Sequence, residues 1–382
     1  MVAPEVIEEM KPFYDLLYGN PSSIHTFGSR VAEKIEMARE QVATFLGVSA
    51  KEILFTSGGT ESDNTAIRSA LEVSPKKRHI VTSGVEHPAI RTLCRYFSKR
   101  GYRVTEVPVN GEGELDMDIY EKSLTPDTAV VSLMWANNET GVLFPIEKAA
   151  VLAHERGIPF HTDAVQAVGK VPIHLENSPV DMLSLSGHKL HGPKGIGVLY
   201  LRNGARFKPT IIGGHQEKGR RAGTENTPAI VGLGKACELA SLDMDRDIPR
   251  IRSLRDKLER GIMAEVPYTR VNGQNAPRLP NTTNISFEYV EGEGILLLLD
   301  ELGICASSGS ACTSGSSEPS HVLLAMGVPA DKAQGAVRFS LSRYNQEKEI
   351  DVVIKKIPGI IQKLRYMSPL WPFRDEPFSK AA

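Results

Sequence analysis

The feature that most constrains the fold is an alternation running through the first two hundred residues. Short, nearly continuous apolar runs are separated by stretches with helical spacing. Ile53-Leu54-Phe55-Thr56 ends in Ser57-Gly58-Gly59, and a helix is expected over 61–71. Residues 79–82 form the next candidate strand, and a helix follows over 88–99. Further strands are expected at 103–107, 129–134, 159–162, 182–186 and 197–200. A strand with one wet face alternates apolar and polar residues, whereas unbroken apolar runs are buried on both faces. The fold class is therefore α/β, a mostly parallel sheet covered by helices. In such sheets ligands bind beyond the carboxyl ends of the strands, so the residues that follow each strand carry the functional signal.

Past about residue 240 the texture changes. Residues 245–263 read as a long charged helix, followed by the polar turn Asn272-Gly273-Gln274-Asn275 and a strand at 284–287. A helix over 293–302 leads into a Ser/Gly loop around Cys312, then a strand at 337–340 and a helix over 346–365. The reading is a large domain over 14–250 and a smaller α+β domain made of 1–13 and 251–382, carrying the loop at about 306–318. A chain of 382 residues with 41% hydrophobic content can bury two such cores.

Charge and cysteine usage exclude several classes. The net charge is −1, from 45 basic and 46 acidic residues, which gives no electrostatic footprint for nucleic acid. The densest apolar run, from Ile295 to Leu299, is too short to span a bilayer, so no membrane partner is expected. Met1-Val2-Ala3-Pro4-Glu5 lacks the basic and apolar regions of a secretory signal. Cys94, Cys237, Cys305 and Cys312 are scattered without zinc-like spacing, which points away from a disulfide framework and toward a reducing, cytoplasmic setting. Cys305 is expected to be buried beside the strand that begins there. His188 and His191 are spaced i,i+3, but no further ligand type lies at metal spacing, so no resident metal is expected.

Four strand ends carry unusual residues. After the 53–56 strand, Gly58-Gly59-Thr60 precedes a helix, where backbone N–H groups and the helix dipole favour an anion. The Walker lysine is absent, so a nucleoside triphosphatase is not supported. After 79–82 comes Glu86-His87-Pro88, after 159–162 comes Asp163, and after 182–186 comes Gly187-His188-Lys189. Each has a bland reading taken alone: a helix cap, a structural histidine, a capping aspartate, a solvated lysine. Together they match the needs of pyridoxal phosphate, which takes a lysine on its aldehyde, an acid on its ring nitrogen and an anion site for its phosphate. Lys194, in the turn Pro193-Lys194-Gly195, is the rival lysine.

Longer motifs surround these positions: Thr56-Ser57-Gly58-Gly59-Thr60-Glu61-Ser62, Ala136-Asn137-Asn138-Glu139-Thr140-Gly141, His161-Thr162-Asp163-Ala164-Val165-Gln166, Arg221-Ala222-Gly223-Thr224-Glu225-Asn226, and the Ser/Gly stretch from Ser307 to Gly315. Through them the chain resembles the cysteine desulfurases of the class V aminotransferase superfamily, most closely the nitrogen-fixation branch, over most of its length. The resemblance implies the pyridoxal-phosphate transferase fold of type I. It implies that Lys189 bonds to the cofactor, Asp163 pairs with the ring nitrogen, Gln166 meets the ring hydroxyl, and His87 stacks on the ring and transfers protons. Gly59, Thr60, Ser186 and His188 are implied to hold the phosphate, with Thr224 of a second subunit completing the cradle in a homodimer. Asn138 and Arg338 are implied to receive the substrate carboxylate, a task that suits a guanidinium.

The implied reaction takes sulfur from L-cysteine, giving L-alanine and a persulfide on Cys312, which passes to an iron–sulfur scaffold protein serving nitrogenase maturation. A cluster ligated transiently at Cys312 is compatible with that role. Gly309, Gly315 and the nearby serines leave little apolar surface to fix the Cys312 segment, which suits a nucleophile that serves both cofactor and acceptor. The family's pattern opens with a short strand and an Asn-Ala-Thr-Thr-like segment upstream of the region matching Val2-Ala3-Pro4. This sequence begins without it, and the departure bears on substrate affinity more than on the cofactor. Two other classes remain open at this point: a selenocysteine lyase or aminotransferase of the same fold, and a weakly catalytic cofactor-binding partner protein.

Overall fold

The computed structural model describes residues 1–308 and 319–372. The chain divides into two compact units. The first comprises Met1–Val107, Asp116–Trp135 and Phe144–Met244, and the second Pro108–Leu115, Ala136–Leu143 and Asp245–Ala382. This corrects the expected division. Residues 1–13 group with the first unit, where the Ala3 N–H donates to the His191 carbonyl at 2.9 Å and Val6 is fully buried. Two short segments between strands of the first unit, 108–115 and 136–143, belong to the second.

The first unit is built on seven strands: β1 (Ile53–Thr56), β2 (His79–Ser83), β3 (Arg103–Val107), β4 (Thr128–Met134), β5 (Phe160–Asp163), β6 (Met182–Ser186) and β7 (Gly197–Leu201). Their order is β1-β7-β6-β5-β4-β2-β3. The pairs β3–β2, β2–β4, β4–β5 and β5–β6 are parallel, and β7 runs antiparallel to both β6 and β1. Every residue of β1, β2, β4, β5, β6 and β7 is buried, as their unbroken runs require. Of the two edge strands, β1 is buried and β3 is mostly uncovered. The helix Gly59–Val73 contributes Ala66, Ile67, Ala70 and Leu71 to a core shared with Leu54, Ile80, Val130 and Leu199.

The second unit carries an antiparallel sheet of β8 (Thr269–Val271), β9 (Thr282–Phe287), β10 (Ser307–Ser308) and β11 (Ala336–Ser340), in the order β10-β11-β9-β8. The helices Gly292–Asp300 and Glu347–Met367 close its core through Ile295, Leu299, Ile357 and Ile361, packed with Ile285, Phe287 and Val337. The charged helix expected over 245–263 is the latter part of a 39-residue helix, Thr227–Glu265, that continues through Pro249. Cys305 is exposed rather than buried. The helix ends at Asp300, the chain turns at Gly303 with φ 73°, and Cys305 falls in the connection before β10 at the sheet edge rather than inside the sheet.

Candidate active site

In the first unit the carboxyl ends of the central strands present the residues singled out in the sequence. Asp163 is the last residue of β5, one position earlier than a residue following the strand. It is 6% exposed; its Oδ1 accepts the Val165 N–H at 2.9 Å and its carbonyl accepts the Trp135 N–H at 2.9 Å. Burial pushes its carboxyl up, opposed by the Val165 bond and by the positive charges of His87 and Lys189. Gln166 is half-buried in the following turn.

Lys189 lies in a single 3₁₀ turn, Gly187–Leu190, directly after β6, and is half-buried, whereas the rival Lys194 is exposed. Ser186, the last residue of β6, shares a hydrogen bond with His188 Nδ1 at 2.9 Å. His87 caps the helix Pro88–Ser98, its Nδ1 accepting the Ala89 N–H at 3.2 Å. The proton of the neutral ring therefore resides on Nε2.

The glycine turn that follows β1 packs close to the end of β6 and to the turn after β5. Gly58 has φ +151°, a conformation essentially reserved for glycine, and a Cβ placed there would lie 3.9 Å from Ser186 Oγ. A Cβ on Gly59 would lie 2.7 Å from Val165 Cγ2. The helix Gly59–Val73 begins here with no side-chain cap, so its first N–H groups are left for a ligand or solvent. Thr60 is exposed in that first turn. Glu61 accepts the Ser57 N–H at 2.8 Å and pairs with Arg221 at 2.9 Å. Burial pushes the Glu61 carboxyl up, but the Arg221 and Ser57 bonds outweigh it and hold it below its usual range. This pair fastens the glycine turn to the segment carrying Thr224, which is itself exposed.

Basic groups crowd one another around Lys189. Burial pushes the Lys170 ammonium down to about 7, with the charge of Lys189 adding to the effect. His188 is pushed down by burial and by Lys189, Lys194 and Lys170. Bases whose protonated forms are disfavoured by burial and by one another, together with an uncapped helix start, suit a phosphate dianion that would restore their charge, and the buried aspartate at the end of β5 suits a ring cation. These residues fit pyridoxal phosphate.

In the second unit, Arg338 sits on β11 in register with Asn284 and Ser307. Its Nη1 donates to the Asn138 carbonyl at 2.7 Å. The Asn138 side-chain oxygen is buried with no hydrogen-bond partner, as expected of a group that awaits a ligand. The turn that holds it is closed by Asn137, whose side-chain oxygen accepts the Glu139 and Thr140 N–H groups at 2.9 Å each. Cys312 lies outside the described residues, as does most of the expected loop at 306–318.

Sequence reasoning did not single out the buried groups behind Asp163. His161 in β5 bridges Ser132 and Ser184, each at 2.9 Å, and stands 3.6 Å from Asp63. Glu86, named only as a neighbour of His87, is fully buried. The available signal was polar residues inside strands that otherwise read as continuous apolar runs.

This arrangement of sheet, strand-end lysine, buried aspartate and glycine turn defines a pyridoxal-phosphate protein of the α/β class. Residues 1–353 match the model of the class-V aminotransferase family. The chain is 58% identical to the cysteine desulfurase NifS of Azotobacter vinelandii, over 97% of this chain and 92% of that protein. It is 57% identical to a cysteine desulfurase of Trichormus azollae, over 96% of this chain and 92% of that one. Among solved structures, a NifS-like protein superposes with a TM-score of 0.89 at 40% identity, covering 95% of this chain and 97% of its own. The chain belongs to the class-V aminotransferases and, within them, to the pyridoxal-phosphate-dependent cysteine desulfurases.

Proposed function

We propose that this protein takes the sulfur from L-cysteine, releasing L-alanine and leaving a persulfide on Cys312. The observation that carries the reading is that Lys189 and Asp163 follow or end the adjacent strands β6 and β5 while the uncapped Gly58–Gly59 turn packs close to Ser186 and Val165. Pyridoxal phosphate, when bound, supplies an electron sink for the substrate's α-carbon. Lys189 holds it and offers an amine able to move the α-proton. Asp163 keeps a proton on the ring nitrogen, Gln166 meets the ring hydroxyl, and Gly59, Thr60, Ser186 and His188 hold the phosphate. Arg338 and Asn138 receive the substrate carboxylate.

The Cys312 thiolate attacks the substrate sulfur, so that an S–S bond forms as the C–S bond breaks. The balance is one L-cysteine and one thiol to one L-alanine and one persulfide. A thiol of ordinary pKa, about 8.5, needs help to ionise at neutral pH, and His87 takes that proton.

Thr224 serves the site of a second subunit in a homodimer. Its exposure on its own subunit supports this, as do the uncovered apolar side chains of Tyr14, Leu16, Tyr18 and Ile24. The Cys312 segment belongs to the smaller domain and delivers sulfur to an iron–sulfur scaffold, in the nitrogen-fixation branch and in the cytoplasm. The motifs around Trp135 and Thr224 support the branch. The free thiols of Cys94, Cys237 and Cys305 support the compartment. No helix among the described residues is long and apolar enough to cross a membrane.

The test is release of sulfide and alanine from L-cysteine with pyridoxal phosphate and a reductant. Equal release of both is expected, lost in Cys312→Ala with the cofactor absorbance retained, while Lys189→Ala loses that absorbance. Alanine formation at the wild-type rate by Cys312→Ala would overturn the reading.

A further inference from the structure

Three carboxyl groups are buried together in the first unit, and the function above uses only one. Asp63 lies on the helix Gly59–Val73, Glu86 on the turn after β2, and Asp163 at the end of β5; none is more than 6% exposed. Glu86 Oε1 accepts the Ser83 hydroxyl at 2.6 Å and the Met134 N–H at 3.0 Å, which ties the ends of β2 and β4 together. Met134 is in register with Asp163 on β5, so only strand β4 lies between Glu86 and Asp163.

Charges near this cluster are unevenly placed. His87 and Lys189 act on Asp163. Glu86 in turn interacts with further acids: Asp163 on β5, Asp63 on the neighbouring helix, and the Cys94 thiol on the helix Pro88–Ser98. His161, beside Asp63, offers no charge, because burial pushes its imidazole down to about 3. Three buried carboxylates so coupled cannot all ionise. Burial pushes Glu86 up to about 8, against the pull of its Ser83 and Met134 bonds. Asp63 is raised as well, by burial and by the charges of Asp163 and Glu86.

We propose that Glu86 is a positioning residue: it holds a proton so that Asp163 is the single anion of the cluster, and its ionisation tightens whatever proton is held against Asp163. The inference rests on the reading that pyridoxal phosphate sits against Asp163 and Lys189. It gives the residue beside His87 a task distinct from catalysis, which is to set the field in which the ring nitrogen and the imidazole keep their protons.

The experiment is the absorbance of the bound cofactor in the holoenzyme from pH 6 to 10, wild type against Glu86→Gln. Glutamine is neutral and still accepts from Ser83 and Met134, so it mimics the protonated acid. The two curves should superimpose below pH 7. Above pH 8 the wild type should depart, its midpoint lying about one unit above that of the variant. Ser83→Ala, which removes a donor that favours the charged carboxylate, should move the departure to higher pH and carries the test if Glu86→Gln does not fold. Curves that coincide throughout, or that already differ fully at pH 6.5, would overturn the proposal, as would a departure unmoved by Ser83→Ala. A wild type without the cofactor band would overturn the cofactor reading and this proposal with it, whereas a band that is present but unresponsive overturns this proposal alone.

Discussion

Replacing Arg39 with alanine tests how the segment leading to Thr224 is fastened to the sheet. Arg39 reaches from the helix Thr26–Leu46 to Glu217 as a fork: Nη2 lies 2.7 Å from Oε1 and Nη1 lies 2.9 Å from Oε2. The two side chains are only 5% and 4% exposed. Glu217 also accepts the Phe55 N–H of β1 at 3.0 Å, and its backbone sits in the left-handed region at φ 48°. Without Arg39 that carboxylate stays buried. Arg220, the nearby cation, already donates to the carbonyls of Lys51, Ile53 and Glu217. Stranding one member of a buried ion pair costs about 3–5 kcal/mol. If the first unit, roughly 230 residues, unfolds as a block with about 2.1 cal/mol/K per residue, each kcal/mol moves the midpoint by about 2 °C. The expected loss is therefore about 6–10 °C, read by calorimetry on the cofactor-free protein. The double variant Arg39→Met with Glu217→Leu should recover most of it, because no buried charge remains. A single variant within about 1 kcal/mol of wild type, or a double variant no better than the single, would refute the reasoning.

Two other outcomes follow from the same geometry. Gly58→Ala should cost about 1–3 kcal/mol through its φ of +151° and should loosen cofactor binding, which equilibrium dialysis would read; unchanged stability and affinity would count against the turn as a cradle. His79 is held down to about 4 by burial and then by the charge of Arg103, and His161 to about 3 by burial. The unfolded chain binds protons on these rings first, so their contribution is whole above about pH 6.5 and fades as pH falls toward 4 and 3. Denaturant midpoints should drop steadily below pH 6, and His79→Gln should flatten the upper part of that slope.

The strands of the first unit were legible almost to the residue because burial on both faces leaves unbroken apolar runs that no helix of that length imitates. The strand ends were legible for the same reason, and with them Lys189, Asp163, His87 and the glycine turn. What escaped was what lies far apart in the chain. Glu61 meets Arg221 across 160 positions and Arg39 meets Glu217 across 178, and no local pattern marks either pair. The helix Thr26–Leu46 was not expected, since its buried face, from Val31 to Leu46, is interleaved with charged residues. The start of the helix Thr227–Glu265 was missed because its first turns, with Gly232 and Gly234, lack the charge pattern of the later ones. Gly234 is there because a Cβ would lie 2.4 Å from Gln41 Oε1 and 2.7 Å from Ala38 Cα. Cys305 was misread because it falls in the connection between the helix Gly292–Asp300 and the edge strand β10, not inside the strand.

The interleaving of the two units has a consequence for how the chain is made. Every residue of the first unit, with its lysine, aspartate and glycine turn, has been synthesised by Met244. The segments 108–115 and 136–143 are translated early, yet their partners come late: Leu143 donates to the Pro277 carbonyl, and Asn138 accepts from Arg338. A growing chain thus contains Lys189, Asp163 and the glycine turn about a hundred residues before Arg338 can meet Asn138, a delay of some 5–20 seconds at ordinary elongation rates. During that interval the turn around Asn138 lacks the Arg338 donor that closes on its carbonyl, while every residue of the lysine-bearing sheet is already in place.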